Sequence, residues 1–597
     1  MLRARRGETM VSVISWGTVA LSGMDGHQAN VCAVGGRLAK NMGRHPLLLT
    51  VTCLCLSGCA GDADPPIEDA TSTPAAPWFR EVAVERGLVW EHRKGEEVRY
   101  WFPEIMGPGI GVLDHDRDGD MDLYFVQSGD LRVAREENEG NRLFANDGAG
   151  RFSDVTAGSG ADDRGYGMGC ACADYDGDGW TDVYVTNVGA NALLANRGDG
   201  SFTEKAEAAG VDNAAWGTSC AFLDMDRDGD LDLFVANYLN WSEGVELECM
   251  SAFGDPDYCH PNNYNSPAQD VLYRNEGDGT FTDVTTRSGV AKAFGNGLGV
   301  APGDYNADGF MDIYVANDMT ANQLWINQKD GRFKESGLLS GCAVNGQGAA
   351  EAGMGVVAFD ADNDGDLDLY LTHLREQTNT LYLNQGGGFT DKTSIVGLAG
   401  PSLRFTGFGT GAADFDQDGN LDLYAANGRV GKWRPQFLEG KPYAEPDQLY
   451  RGLGSARFEE IQPQGGTSEP YYATSRGMAF IDMDGDGDLD VVVGDNHGRV
   501  RLLENIAPDQ GRSALILVRD ENGAPAVGAQ VRVYAGERTL VRWAQPAFSY
   551  CSSSDPRAHF GLGDHEGTIN VEVLWSDGQT LKVSGLSTSE TIELSRE

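Results

Sequence analysis

Basic charge is what this 597-residue chain most lacks: 46 Lys and Arg face 90 Asp and Glu, for a formal net charge of -44 and a pI near 4.4. Nucleic-acid backbones and anionic membrane surfaces are recognised through clustered Lys and Arg, so the composition argues against both as partners. Long apolar runs are also missing. The stretch "MGRHPLLLTVTCLCLSGC", which starts at Met42, is too short to cross a bilayer. No C-x-x-C, His-x-x-His or Glu-bearing zinc pattern occurs, and no loop motif pairs a nucleophile with a base. Even so, 41% of the residues are hydrophobic, enough for a sizeable core, and the length suits one repeat array plus a module.

The N-terminus reads as a targeting segment. Residues 1–41 have the character of neither signal nor domain, and Met42 is a plausible start; 42–58 combine a charged region, a short apolar stretch and a small-residue cleavage zone. "LSGC" at Leu56 resembles the lipobox of bacterial lipoproteins, which implies a lipidated Cys59 and an extracytoplasmic chain held at a bacterial envelope. Residues 59–77, rich in Pro, Ala, Ser, Thr and acid, read as a flexible tether.

What is abundant is aspartate in register. The pattern D-x-[DN]-x-D-G-x-x-D recurs as "DHDRDGDMD" at Asp114, "DYDGDGWTD" at Asp174, "DMDRDGDLD" at Asp224, "DYNADGFMD" at Asp304, "DADNDGDLD" at Asp360, "DFDQDGNLD" at Asp414 and "DMDGDGDLD" at Asp482. Two carboxylates about 4 Å apart repel by about 4 kcal/mol at an effective dielectric near 20, so such loops need a cation. Positions 1, 3, 5 and 9 offer side-chain oxygens, position 7 a carbonyl, and the glycine at position 6 permits a sharp turn.

The candidate ligands are therefore Asp114, Asp116, Asp118, Asp120 and Asp122; Asp174, Asp176, Asp178, Trp180 and Asp182; Asp224, Asp226, Asp228, Asp230 and Asp232; and Asp304, Asn306, Asp308, Phe310 and Asp312. The last three copies supply Asp360, Asp362, Asp364, Asp366 and Asp368; Asp414, Asp416, Asp418, Asn420 and Asp422; and Asp482, Asp484, Asp486, Asp488 and Asp490. An all-oxygen set on a small loop suits Ca²⁺ better than Zn²⁺ or Mg²⁺. It is not an EF-hand, because position 12 is a strand residue such as Phe125 or Val185 rather than a bidentate Glu. Asn306 removes one carboxylate and predicts a weaker fourth site. Seven divalent ions would move the formal charge from -44 to -30.

Each acidic loop is preceded by a glycine-rich strand such as "GMGCACA" and followed by short strands such as "VYVTN", "LYRN" and "FTDVT". Four-stranded units of about 50 to 60 residues predict propeller blades. "FREVAVERGL" at Phe79 matches a fourth strand with no blade before it, and the last copy ends after its third strand, "RLLEN". An N-terminal strand that completes the last blade predicts an all-β, closed seven-bladed propeller over 78–506.

These repeats resemble FG-GAP and VCBS repeats of integrin-like calcium-binding propellers. Residues 513–595 resemble the ASPIC/UnbV module through "AVGAQVRVY" at Ala526, "AHFGLG" at Ala558 and "VEVLWSDG" at Val571, and read as a small β-sandwich. Together they resemble the cartilage acidic protein family and its bacterial relatives. No EGF-like module is visible, and "SYCSS" at Ser549 departs from the usual Gly-Tyr-hydrophobe-Ser step.

Blade topology places the acidic loops on one face and the long connections 238–269, 334–353 and 429–447 on the other. Their aromatics, among them Trp241, Tyr258, Tyr264 and Trp433, either pack beneath the loops or present a surface to a glycan or protein. Thirteen residues after each first aspartate stand Gln127, Asn187, Asn237, Asn317, His373, Asn427 and Asp495, read as turn caps or as a ligand-facing ring. His373, Arg404, Arg429, Arg476 and Glu351 are the candidates for pocket chemistry. Cys249 and Cys259, ten positions apart within the longest insertion, predict a disulfide. The chain reads as a monomeric, lipid-anchored binding or adhesion scaffold. A carbohydrate lyase or hydrolase working at the central mouth is the alternative.

Overall fold

The computed structural model describes residues 76–95, 99–508 and 510–596; residues 42–58, read as a signal, and Cys59, read as lipidated, lie outside them. Runs such as "DVYVTN" and "DLFVAN" bury every residue and so form central strands, sandwiched on both sides. Among the described residues the repeats form seven four-stranded antiparallel blades, the first extended by two short strands from the C-terminal region. Their innermost strands are Ile110–Leu113, Gly167–Ala173, Gly217–Leu223, Gly297–Gly303, Val356–Phe359, Gly407–Ala413 and Ser475–Ile481. Each packs against the next, and the seventh against the first, which closes the ring. Phe79–Glu81 completes the seventh blade, with Phe79 opposite Asn505. The apolar layer joining blades 7 and 1, including Val112, Leu123, Phe125, Ile481 and Val492, is fully buried, and each such side chain contributes about 1.5–3 kcal/mol.

A polar stitch repeats between blades. The asparagine ending the third strand donates to the position-8 carbonyl of its own acidic loop and to the position-2 carbonyl of the preceding one. Asn275 Nδ2 thus reaches Leu231 O at 3.0 Å and Tyr175 O at 2.7 Å, and Asn146, Asn196, Asn327, Asn384 and Asn505 repeat the pattern. Blade 6 has Gly452 there, and the N–H of Ala456 donates to Ala361 O instead.

The C-terminal residues form a three-stranded sheet facing a four-stranded one around a core that includes Ile516, Val531, Val533, Phe560 and Val571. From this sandwich the loop 545–557 runs down the axis of the propeller. Ser553 pairs in parallel with Gly111, and Ser549 exchanges backbone bonds with Val356. Ile110 N donates to Ser552 Oγ, Cys170 N to Cys551 O, Cys551 N to Ser219 Oγ, Thr410 N to Ser549 Oγ and Phe480 N to Ser554 Oγ. Ala547 packs with Val300 and Ile313 of blade 4, so the plug engages all seven blades.

The glycines of the inner strands now have a cause: a Cβ on Gly109 would lie 1.9 Å from Cys551 O, and one on Gly477 2.7 Å from Ser552 Oγ. Cys551, whose role the sequence left open, is a buried thiol at the centre of the plug, with a left-handed backbone (φ 56°). Cys249 and Cys259 form a disulfide. No helix of the described residues is long and apolar enough to cross a membrane.

Candidate cation loops and axial pocket

Each acidic loop is built by its own backbone. Position 6 is left-handed in all seven copies, from φ 87° at Gly309 to 98° at Gly119, as the glycine there allows. Position 4 is left-handed too, although five copies carry a side chain there: Arg117, Arg227, Ala307, Asn363 and Gln417. That requirement was missed in the sequence, where only Gly177 and Gly485 hint at it. The position-9 carboxylate ties loop to sheet: Asp182 Oδ2 accepts from Tyr175 N at 3.1 Å and Oδ1 from Asn196 N at 2.7 Å, and the other six copies do the same.

These anchors draw the carboxylates inward. In blades 2, 3 and 5, oxygens of positions 1, 3 and 9 (Asp174, Asp176 and Asp182; Asp224, Asp226 and Asp232; Asp360, Asp362 and Asp368) lie within 4.8 Å of one another. Asp114, Asp116 and Asp118 cluster likewise. Buried Oδ1 atoms of Asp114, Asp226, Asp362 and Asp416 have no hydrogen-bond partner. Burial, reinforced by neighbouring carboxylates, pushes Asp174 up to about 7, Asp224 and Asp360 to about 6, and Asp312 and Asp368 to about 8. Unpaired, desolvated oxygens in an all-oxygen set fit a hard cation.

The C-terminal sandwich sits on this face. Ser576 Oγ donates to Asp224 Oδ2 at 3.1 Å, Arg538 to Asp418 O at 2.8 Å and Ser513 Oγ to Gly487 O at 2.7 Å. Buried Arg557, paired with Asp555, donates to Asp482 O and adds positive charge beside Asp482 and Asp114; Arg542 does so beside Asp360 and Asp414.

The opposite face is irregular. The insertions 238–269 and 429–447 latch across the axis: Asp257 accepts from Lys432 N at 2.7 Å and from Tyr443 Oη at 2.8 Å. Beneath them lies a cavity of about 220 Å³. Tyr258 and Trp433 line it, as do Phe102, Tyr238, Phe408 and Asp318.

The other face residues singled out in the sequence take different roles. Trp241 and Tyr264 are half-buried and both donate to Glu246. Arg404 is exposed beside Phe405. Arg429, Arg476 and His373 are turned inward instead of facing a ligand. Arg429 pairs with Glu445 at 2.9 Å, and Arg476 donates to the carbonyls of Ile105, Gly428 and Arg429, because both satisfy backbone and charge where the insertions cross. In the ring thirteen residues after each first aspartate, the Nδ2 atoms of Asn187, Asn237, Asn317 and Asn427 donate to carbonyls of adjoining turns, so these residues act as turn caps.

Asp318 escaped the sequence reading. Its register, one residue past the polar ring, holds Ser128, Val188, Tyr238, Leu374, Gly428 and Asn496 in the other blades. A lone carboxylate in that series was the available signal.

Comparison with known proteins agrees with this architecture. Residues 114–185, 174–235, 254–315, 304–371 and 360–425 match the FG-GAP-like repeat family, and residues 519–597 match ASPIC and UnbV. Cartilage acidic protein 1 of Xenopus tropicalis is 26% identical over 327 residues, covering 53% of this chain and 39% of that protein. The Mus musculus protein is 28% identical over 317 residues, covering 51% and 45%. The chain therefore spans less than half the length of the curated relatives it matches. Among solved structures, an Agrocybe aegerita lectin described as recognising non-reducing terminal N-acetylglucosamine has a TM-score of 0.37 and 15% identity, covering 66% of this chain and 86% of that one. YCF48 from Cyanidioschyzon merolae has a TM-score of 0.32 and 9% identity, covering 66% and 96%.

Proposed function

We propose, for a chain that belongs with the FG-GAP-repeat, ASPIC/UnbV-bearing relatives of cartilage acidic protein 1, a calcium-stabilised binding scaffold that works outside the cytoplasm. The observation that carries this reading is the division of labour between its faces: the acidic face carries the C-terminal sandwich, bonded through the loops at Asp224, Asp414 and Asp482, and the convergent insertions are left to meet a ligand. Ca²⁺ would be held by side-chain oxygens at positions 1, 3, 5 and 9 and the carbonyl of position 7, with the fourth loop weakest because of Asn306. Its contribution is charge neutralisation; no chemistry on the ligand passes through it.

The partner in this reading is a glycan or an envelope protein, met by the chain as a monomer tethered through lipid on Cys59. Two features favour binding over carbohydrate cleavage. The axis is filled by the plug at 545–557, and the cavity wall has one carboxylate, Asp318, where glycoside hydrolysis uses a pair. The test is a glycan and envelope-protein array probed with the full mature chain in Ca²⁺, in chelator, and with 238–269 shortened. Binding lost on shortening, with melting unchanged, supports the reading; binding that survives both treatments sinks it.

A further inference from the structure

The cavity under the crossed insertions has chemistry that no repeat supplies. Asp318 follows the strand Asp312–Asn317 and is held by its backbone, its N–H on Asn296 O and its carbonyl accepting from Asn296 Nδ2. Only 8% exposed, it accepts at Oδ2 from Tyr238 Oη at 2.5 Å, and its Oδ1 has no partner in the protein. A buried carboxylate oxygen left bare is destabilising unless something that enters the cavity donates to it. On the same wall, Arg375 Nε is buried without a hydrogen-bond acceptor; the carboxylate it pairs with, Glu376, stands 3.9 Å away. The cavity therefore offers one unused acceptor and one unused donor.

Its remaining surface is aromatic. Phe102, Tyr238, Tyr258, Phe408 and Trp433 contribute rings, and Trp433, 41% exposed, stands at the rim with His260. Rings beside a carboxylate would suit an organic ammonium ligand, but the charges argue against it. Three of these rings already hold a fixed cation: Lys94 over Tyr258 at 5.2 Å, Arg375 over Trp433 at 5.3 Å and Arg476 over Phe408 at 3.9 Å. A further cation would meet these three charges at close range, and Asp318 is the one carboxylate that lines the cavity.

A neutral ring with an apolar C–H face and hydroxyls that both donate and accept matches the wall and the two unused groups together. About 220 Å³ is below the usual range for drug-sized pockets and suits one such ring. We propose that this cavity binds a single neutral pyranose residue, with Asp318 accepting from a ring hydroxyl, Arg375 donating to another and the aromatic wall covering the C–H face. The proposal rests on the scaffold reading above and narrows it to one pocket and one ligand class.

The test is ligand-observed NMR and calorimetric titration of the full mature chain in Ca²⁺. The probes are methyl pyranosides of neutral hexoses, N-acetylhexosamines and 6-deoxyhexoses, with tetramethylammonium chloride as cationic counter-probe. At least one pyranoside should bind in the millimolar range or tighter, and Asp318→Asn and Trp433→Ala should each weaken it tenfold or more. Arg404→Ala, on the same face but outside the cavity, should leave it unchanged. The melting temperature of each variant, measured alongside, shows that the fold survives.

Binding of tetramethylammonium in preference to every pyranoside overturns the proposal, as does pyranoside binding indifferent to Asp318→Asn and Trp433→Ala. The array separates the two failures. A glycan captured through 238–269 but insensitive to Asp318→Asn removes the pocket and keeps the scaffold reading; no capture of any glycan or protein removes both.

Discussion

The two faces of the propeller were made by opposite means. On the acidic face one nine-residue solution is written seven times, and the same bonds recur in each copy, from the position-9 carboxylate to the glycine at position 6. On the other face no two connections match, and order comes from contacts between residues far apart in sequence, such as Asp257 with Lys432 and Tyr443. Repetition gives the first face a chemistry that can be read locally and clusters of carboxylates that could hold metal ions. The second face gains individuality, and its geometry depends on the ring beneath it.

The sharpest way to break this comparison is to test the proposed calcium with a chelator. A single site saturated at a hundred times its dissociation constant contributes about 2.7 kcal/mol, so a chelator acting on seven should cost on the order of 10 kcal/mol or more, read as a large fall in melting temperature. The sign of the pH effect follows from the raised carboxyls. In the metal-free chain Asp174, Asp414, Asp312 and Asp368 titrate at about 7 to 8 when folded, against an ordinary value near 3.8. The folded chain then holds more protons between those limits, and its stability declines as pH rises from about 4 to 8. Thermal scans in chelator at pH 5 and pH 8 should show the lower melting point at pH 8, with the gap closing in Ca²⁺. A melt insensitive to both chelator and pH would erase the distinction between the faces.

Next in size are substitutions in the plug, which links the faces through the axis. Tyr550 is fully buried, stacks edge-on against Phe408 at 5.0 Å and donates to Met106 O at 3.0 Å. Tyr550→Ala should cost about 3–5 kcal/mol by denaturant titration. It should also loosen the pocket, because Phe102, Met106, Leu298, Met354 and Phe408 belong to the same cluster.

The stitch between blades comes third. Asn275→Ala leaves the buried carbonyls of Tyr175 and Leu231 without that donor and should cost about 1–3 kcal/mol. Blade 6, which has Gly452 at this place and takes its bond from Ala456 N, shows that the ring tolerates one such omission.

These elements differ in how far the sequence disclosed them. The strands and the seven loops were legible because each follows a local pattern repeated until chance is excluded, and the closing strand at Phe79, although it pairs with Asn505 at the far end of the array, was legible because it repeats the fourth-strand pattern. The asparagine stitch stood in plain view in "LYRN" and "LYLN" but bonds a residue one blade away, so nothing local marked it. The plug was hidden more deeply. Ser549 to Asp555 meet strands from blades that precede them by up to about 440 residues, and only the excess of glycine in those strands registered their approach. Arg429, in a long loop, and Arg476, near the start of an inner strand, misled for the same reason: a charged side chain reads as exposed until the distant segment that buries it is known.

The smallest effect sharpens the comparison within a single loop. Ala307, exposed at position 4 of the fourth copy, has φ 54°, where a β-carbon costs roughly 1–2 kcal/mol. Ala307→Gly relieves that strain but adds about 0.4–1 kcal/mol of unfolded-chain entropy. Strain is the larger of the two, so the variant should be more stable by roughly 0.5–1 kcal/mol, read as a higher denaturant midpoint at unchanged slope. Gly485 provides the reciprocal: it occupies position 4 of the seventh copy at φ 72°, and an added β-carbon would find nothing within 4 Å, so Gly485→Ala should lose about as much as Ala307→Gly gains. Equal and opposite shifts at two copies three blades apart would show that the loops share one backbone requirement independent of what surrounds them; no pair of positions on the irregular face could return that result.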